Sequence, residues 1–103
     1  MLNSKYIDSL SIKELEMIIT LGIKETTHKI MSSEIDHIES GSTCNGVLLN
    51  SKRIICFNIG DSRSVIGRKL GNRNWEAKAI SFDHTPSRED ERKRIINHGG
   101  RVK

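Results

Sequence analysis

Apolar residues recur at three- and four-residue spacing through Ile12, Leu15, Ile19 and Ile23. That period lines one face of an α-helix. Thr26, Thr27 and Ile30 extend the stripe, and Ser11 with Glu14 supplies a capping box in which each side chain satisfies a backbone N–H of the other. The pattern predicts a helix over 12–38, strong to 31 and weak beyond, which Gly22 weakens by about 1 kcal/mol relative to alanine. Residues 1–11 show no period and read as a lead-in, and Ser40-Gly41-Ser42 closes the helix.

The period then changes. Strands are expected within 43–82: Thr43 to Leu49, a polar turn at Asn50-Ser51-Lys52, then Arg53 to Ile59, together a hairpin. Ile54, Ile55, Cys56, Phe57 and Ile59 put apolar side chains on both faces of the second strand. This is the pattern of a central strand covered on both sides. Gly60-Asp61-Ser62-Arg63 interrupts it, Ser64 to Gly67 resumes extended structure, and Trp75 to Phe82 reads as another strand. Asp83-His84-Thr85-Pro86 is a turn. A helix over 87–98 follows, with Ser87 as its cap, Asp90 at the third position and Gly99-Gly100 as its stop. Glu89–Lys93 and Asp90–Arg94 stand four apart on it as favourable pairs.

At 103 residues the chain is one domain at most, or part of one. Only 4% of residues are aromatic, so its core must be aliphatic. No apolar run approaches the ~20 residues of a membrane span, and the opening residues hold no ~7–15-residue apolar signal segment. An intracellular chain, cytoplasmic or nuclear, is expected, with no membrane partner. Cys44 and Cys56 fall on adjacent strands. With a two-residue loop Val47 faces Cys56, and with a three-residue loop Gly46 does. Neither register opposes the two thiols, so both are expected free. Cys44, Cys56, His84 and His98 are too scattered for a zinc site.

Charge is uneven: residues 1–60 carry net −1 and residues 61–103 net +5. A basic half can meet nucleic acid or a phosphorylated partner. The run Arg88, Arg92, Lys93, Arg94 and Arg101 is interleaved with Glu89, Asp90 and Glu91 and has no aromatic partner, so nucleic-acid binding is disfavoured. His28 and His37 lie nine apart, not on neighbouring helical turns, and read as surface residues. Gly67 and Gly71 lack the Gly-Lys-Ser/Thr of a phosphate loop. Gly60-Asp61-Ser62-Arg63-Ser64 approaches a nucleophile elbow, but strand rather than helix follows it. Asp61, at the end of an apolar strand, is either a turn aspartate or an oxygen ligand for a hard cation such as magnesium or manganese.

Five blocks stand in order: Ser40-Gly41-Ser42-Thr43; Phe57-Asn58-Ile59-Gly60-Asp61-Ser62-Arg63; Ser81-Phe82-Asp83-His84-Thr85-Pro86; Glu91 with Arg94-Ile95; and Gly99-Gly100-Arg101-Val102. The series resembles the metal-dependent serine/threonine protein phosphatases of type 2C over about residues 12–103. It departs from the family's habit at Cys44, Phe57 and Thr85. The resemblance implies an α+β fold, part of a two-sheet β-sandwich flanked by helices in α-β-β-α layers. It implies a binuclear Mg or Mn centre whose bridging water attacks the phosphorus of phosphoserine or phosphothreonine in protein substrates. It implies that Asp61 is a ligand of an additional, weaker ion, and that Arg63, Asp83, His84 and Glu91 are structural. The Asp-Gly-His-Gly-Gly, Asp-Gly and Asp-Asn blocks that supply the binuclear centre do not occur in these 103 residues. The chain therefore reads as a partial phosphatase domain with an incomplete metal site, inactive alone. A catalytically silent interaction module and a small basic nucleic-acid binder are the alternatives, and the oligomeric state stays open.

Overall fold

The long helix opens where the capping box places it. In the computed structural model, which describes residues 4–103, Ser11 Oγ accepts the Glu14 N–H at 3.3 Å and Glu14 Oε2 accepts the Ser11 N–H at 2.7 Å. Helix α2 runs Ile12–Met31. Leu15 is buried at 2% exposure, and Ile19 and Ile23 are half-buried along the same stripe. Leu15 withdraws enough apolar surface to contribute about 2 kcal/mol. The weak continuation to 38 does not form. Ser32 and Ser33 turn their hydroxyls back onto the His28 and Ile30 carbonyls, and Asp36 Oδ1 accepts the N–H groups of Ile38 and Glu39. Serine and aspartate compete with the helix ladder in this way.

The expected lead-in carries a short helix, α1, Ser4–Ser9. Its anchors lie 43 residues away, where no local period reveals them. Asp8 accepts from the Ser51 N–H (3.1 Å) and hydroxyl (3.0 Å), and Arg53 donates to the Leu10 carbonyl at 3.0 Å. Leu10 is buried beside them in sequence.

Strands β1 (Cys44–Leu49) and β2 (Ile54–Ile59) form one two-stranded sheet. The Asn50 N–H donates to the Arg53 carbonyl, which closes a two-residue loop, and Asn50 Oδ1 accepts the N–H groups of Lys52 and Arg53. Both cysteines are free. The expectation that β2 is covered on both sides is not met: β1 is its one partner among the described residues, and Ile54 and Ile59 are 50% and 41% exposed.

Strands β3 (Val65–Lys69) and β4 (Trp75–Ala79) pair antiparallel as a second two-stranded sheet. Val65 faces Ala79, Gly67 faces Ala77 and Lys69 faces Trp75. Alternation puts these on one side of the ribbon and Ile66, Lys78, Arg68 and Glu76 on the other. The last helix, α3, is Glu89–Asn97. Its cap is Arg88, whose guanidinium has no acceptor for a backbone N–H, and the expected cap, Ser87, instead shares a hydrogen bond of 2.8 Å with the Thr85 hydroxyl. The expected Asp90–Arg94 pair is also rearranged: Asp90 pairs with Arg88, and Arg94 pairs with Glu91 at 2.7 Å. Glu89–Lys93 forms at 3.3 Å. Gly99, at φ 79°, ends the helix, and the Gly100 N–H returns to the Ile95 carbonyl.

The fold is α+β, with two small antiparallel sheets. It divides into two units, one comprising the chain up to Ser42 with Leu48–Ile55, the other Thr43–Val47 with Cys56–Lys103. Among the described residues no helix is long and apolar enough to cross a membrane.

Candidate functional site

The second unit holds the corner where β2 ends. Asn58 sits inside an otherwise apolar strand, and a polar group there must find partners. Its amide nitrogen donates to the carbonyls of Gly60 and Phe82, both at 2.9 Å, and its oxygen accepts from Asn45 Nδ2 at 2.8 Å. The Gly60 carbonyl also accepts the His84 N–H at 2.9 Å. The strand end and the segment 82–84 are thereby joined through main-chain oxygens.

Gly60 has to be glycine twice over. Its φ is +94°, and a Cβ there would lie 2.5 Å from Thr43 Cγ2. Thr43 in turn shares a hydrogen bond of 2.7 Å with the Ser62 hydroxyl. Behind the turn, the buried Ser81 hydroxyl accepts the Ser64 N–H at 2.8 Å, and the Ser64 hydroxyl donates to Asn45 Oδ1.

Arg63 clamps Asp83 with two parallel bonds, Nε to Oδ1 at 2.9 Å and Nη2 to Oδ2 at 2.6 Å. This is the geometry in which arginine binds a carboxylate most strongly. Its hydrogen bond, with the neighbouring positive charges, holds the Asp83 carboxyl below its ordinary range, and Asp83 raises Arg63 in return. Arg88 donates to the Asp83 carbonyl at 2.9 Å and lies 5.9 Å from the centre of the Phe82 ring, within cation–π range. A cleft of about 370 Å³ is lined by Arg63, Ala79, Ser81, Phe82, Asp83, Thr85 and Arg88. Its two arginines are already paired, Arg63 with Asp83 and Arg88 with Asp90.

Asp61, the expected metal ligand, is exposed beside this clamp in sequence and makes no hydrogen bond or ion pair with other described residues. Among the described residues no group of three or more histidine, cysteine, aspartate or glutamate side chains is placed to hold a metal ion. One carboxylate does not fit a binuclear Mg or Mn centre, which needs several oxygen donors converging on two ions. Arg63, Asp83 and His84 are brought together as a scaffold, and Glu91 is held by Arg94, which lowers its carboxyl. Reading the sequence placed Asn58 and Ser81 within the ordered blocks but gave them no role, and gave none to Asn45 or Ser64. The signal was available at Asn58, an amide in the middle of Ile54–Ile59.

The basic run at the cap of α3 and along it is partly neutralised: Arg88, Lys93 and Arg94 each face a carboxylate, which interrupts any phosphate-tracking stripe.

The sequence model of the family described as Protein phosphatase 2C matches residues 3–103. "Probable protein phosphatase 2C 69" of Arabidopsis thaliana is 38% identical over 92 residues, covering 88% of this chain and 25% of that protein. "Probable protein phosphatase 2C 71" of the same plant is 44% identical over 78 residues, 75% of this chain and 16% of the relative. "Probable protein phosphatase 2C 52" of Oryza sativa subsp. japonica is 42% identical over 87 residues, 80% and 17% respectively. The chain thus spans a quarter or less of the length of these relatives. No solved structure matches.

Proposed function

The chain belongs to the protein phosphatase 2C family, and from that premise we propose that it is a scaffold segment of a metal-dependent protein serine/threonine phosphatase. The reaction is hydrolysis of phosphoserine and phosphothreonine in proteins, with magnesium or manganese as the metal. The observation that carries this reading is the Arg63–Asp83 clamp, with the Gly60 carbonyl held by Asn58 and His84, which together build a rigid corner and leave Asp61 exposed. The corner supplies one metal-seeking carboxylate. The remaining ligands of a two-metal site must come from outside these residues, so the 103-residue chain is inactive alone. Free Cys44 and Cys56 support an intracellular setting, cytoplasmic or nuclear.

The test has two arms. Phosphate release from a phosphoserine peptide by the 103-residue chain in manganese is expected at the buffer level. A chelator-sensitive rate well above buffer overturns the claim that the chain is inactive alone. A chimera in which residues 12–103 replace the matching segment of the 38%-identical Arabidopsis relative is expected to turn over. A chimera that melts cooperatively yet releases no phosphate favours the catalytically silent module instead.

A further inference from the structure

We propose that Asn58 is the positioning residue of the Asp61 corner: its two amide N–H groups tie the end of β2 to the segment 82–84 and so fix where Asp61 stands. The inference rests on the reading of Asp61 given above, but its geometry stands apart from any metal.

Three elements meet at this one side chain. The amide nitrogen donates to Gly60 in its own strand end and to Phe82, 24 residues on, each at 2.9 Å. The amide oxygen is used by Asn45 of β1 at 2.8 Å. An asparagine amide has two donors and an acceptor, and here all three functions are engaged. Among the bonds described above, Asn58 alone reaches both the strand end and the segment 82–84 at main-chain oxygens. The Arg63–Asp83 clamp joins side chains only, and its arginine is 57% exposed. The His84 N–H bond to the Gly60 carbonyl shares its acceptor with Asn58. Removing the amide donors leaves that carbonyl with one bond, and the Phe82 carbonyl without its side-chain partner. Asp61 is the residue after Gly60, whose φ of +94° must be kept for the chain to turn there. Freedom gained at Gly60 passes directly to Asp61.

The experiment is amide hydrogen exchange by NMR on the full 103-residue chain, which reads local opening separately from global unfolding. The wild type is compared with Asn58→Asp and with Asn45→Ser. Asn58→Asp keeps shape and the acceptor for Asn45 but presents a carboxylate to two carbonyls. The expected result is a loss of His84 protection of about tenfold, with the β3–β4 amides and that of Leu70 unchanged. Lowering the pH until the new carboxyl protonates restores one donor, and part of the protection returns. A residue that merely packs has no reason to show that reversal. Asn45→Ser leaves both Asn58 donations in place and is expected to cost His84 less protection than Asn58→Asp. If His84 keeps its protection in Asn58→Asp, or if every amide loses protection together without reversal in acid, the positioning role is overturned. If Asn58→Asp does not fold, Asn58→Ser, whose single short hydroxyl cannot reach both carbonyls, decides: His84 protection reduced ahead of the β3–β4 amides supports the tie, and unaltered or uniformly reduced protection refutes it. Manganese titration of the same samples, read as line broadening at the Asp61 amide, keeps the two readings apart. Absence of broadening in the wild type counts against Asp61 as a metal ligand while exchange at His84 still judges Asn58.

Discussion

The Asp61 corner and the β3–β4 hairpin belong to the same unit, yet different interactions hold them. The hairpin is a regular ladder with near neighbours in register and one ion pair, Arg68–Glu76, eight residues apart. The corner lies where the β1–β2 ladder ends. It is held by side-chain bonds joining residues 19, 20, 24 and 36 positions apart. A ribbon of two strands exposes one whole row of side chains, and Val65 and Trp75 remain 56% and 67% exposed. The corner buries Ser81 and leaves no buried polar side-chain atom without a partner among the described residues. Polar bonds of fixed direction over-determine a geometry, whereas a two-stranded ladder tolerates change.

The sharpest way to break this contrast is to place one methyl group in each region. Gly60→Ala forces a side chain into positive φ and against Thr43, and should cost about 3 kcal/mol. Gly67→Ala, whose Cβ would meet Trp75 at an ordinary 3.6 Å, should stay within about 0.5 kcal/mol. Urea or thermal melts of both variants read the difference. Equal losses would mean that the corner is no more constrained than the ribbon.

A smaller effect comes from acid. Asp83 is held below its ordinary range in the folded chain, mainly by its hydrogen bond to Arg63. Its contribution is therefore complete above the unfolded aspartate range and is lost as pH falls through the lower folded value. Glu91, lowered by Arg94, has the same sign. Asp83→Asn should flatten the fall of the melting midpoint in this acid window and lower the midpoint at neutral pH. Both partners are reachable by water, so the change is modest and shrinks with added salt. Glu76→Gln, which breaks the hairpin's pair at 68% and 45% side-chain exposure, should move the neutral midpoint less than Asp83→Asn. A larger shift from Glu76→Gln would reverse the ranking of the two regions.

The same contrast explains what the sequence makes legible. The helix from Ile12, its Ser11–Glu14 cap and the hairpin turn at Asn50 are local patterns found where their spacing puts them, whereas the strands expected over Ser64–Gly67 and Trp75–Phe82 are Val65–Lys69 and Trp75–Ala79, paired with each other in a register that spacing does not reveal. The stop at Met31 and the cap at Arg88 differ from expectation because serine hydroxyls chose nearby carbonyls or hydroxyls, a choice that spacing does not reveal. Helix α1 depends on Asp8–Ser51 and Arg53–Leu10, and the corner on Asn58–Phe82 and Ser64–Ser81, all bonds between distant positions. The five ordered blocks point to the corner as a group, yet say nothing of Asn45, which lies in none of them.

The smallest effect on the fold, and the last prediction, concerns Asp61. Asparagine keeps its size and turn preference, and the carboxylate has no hydrogen bond or ion pair to lose among the described residues. In the 103-residue chain Asp61→Asn should therefore leave the melt where it is, in contrast to Gly60→Ala one position earlier. What the substitution removes is the charge that attracts a hard cation. In the Arabidopsis chimera, turnover against manganese concentration should fall for Asp61→Asn, most of all at low manganese, with an unchanged melt. Full activity at every manganese concentration would make Asp61 a turn residue and nothing more. Loss of activity together with loss of the melt would place it with Gly60 among the residues that hold the corner, and the metal reading would fail in that case as well.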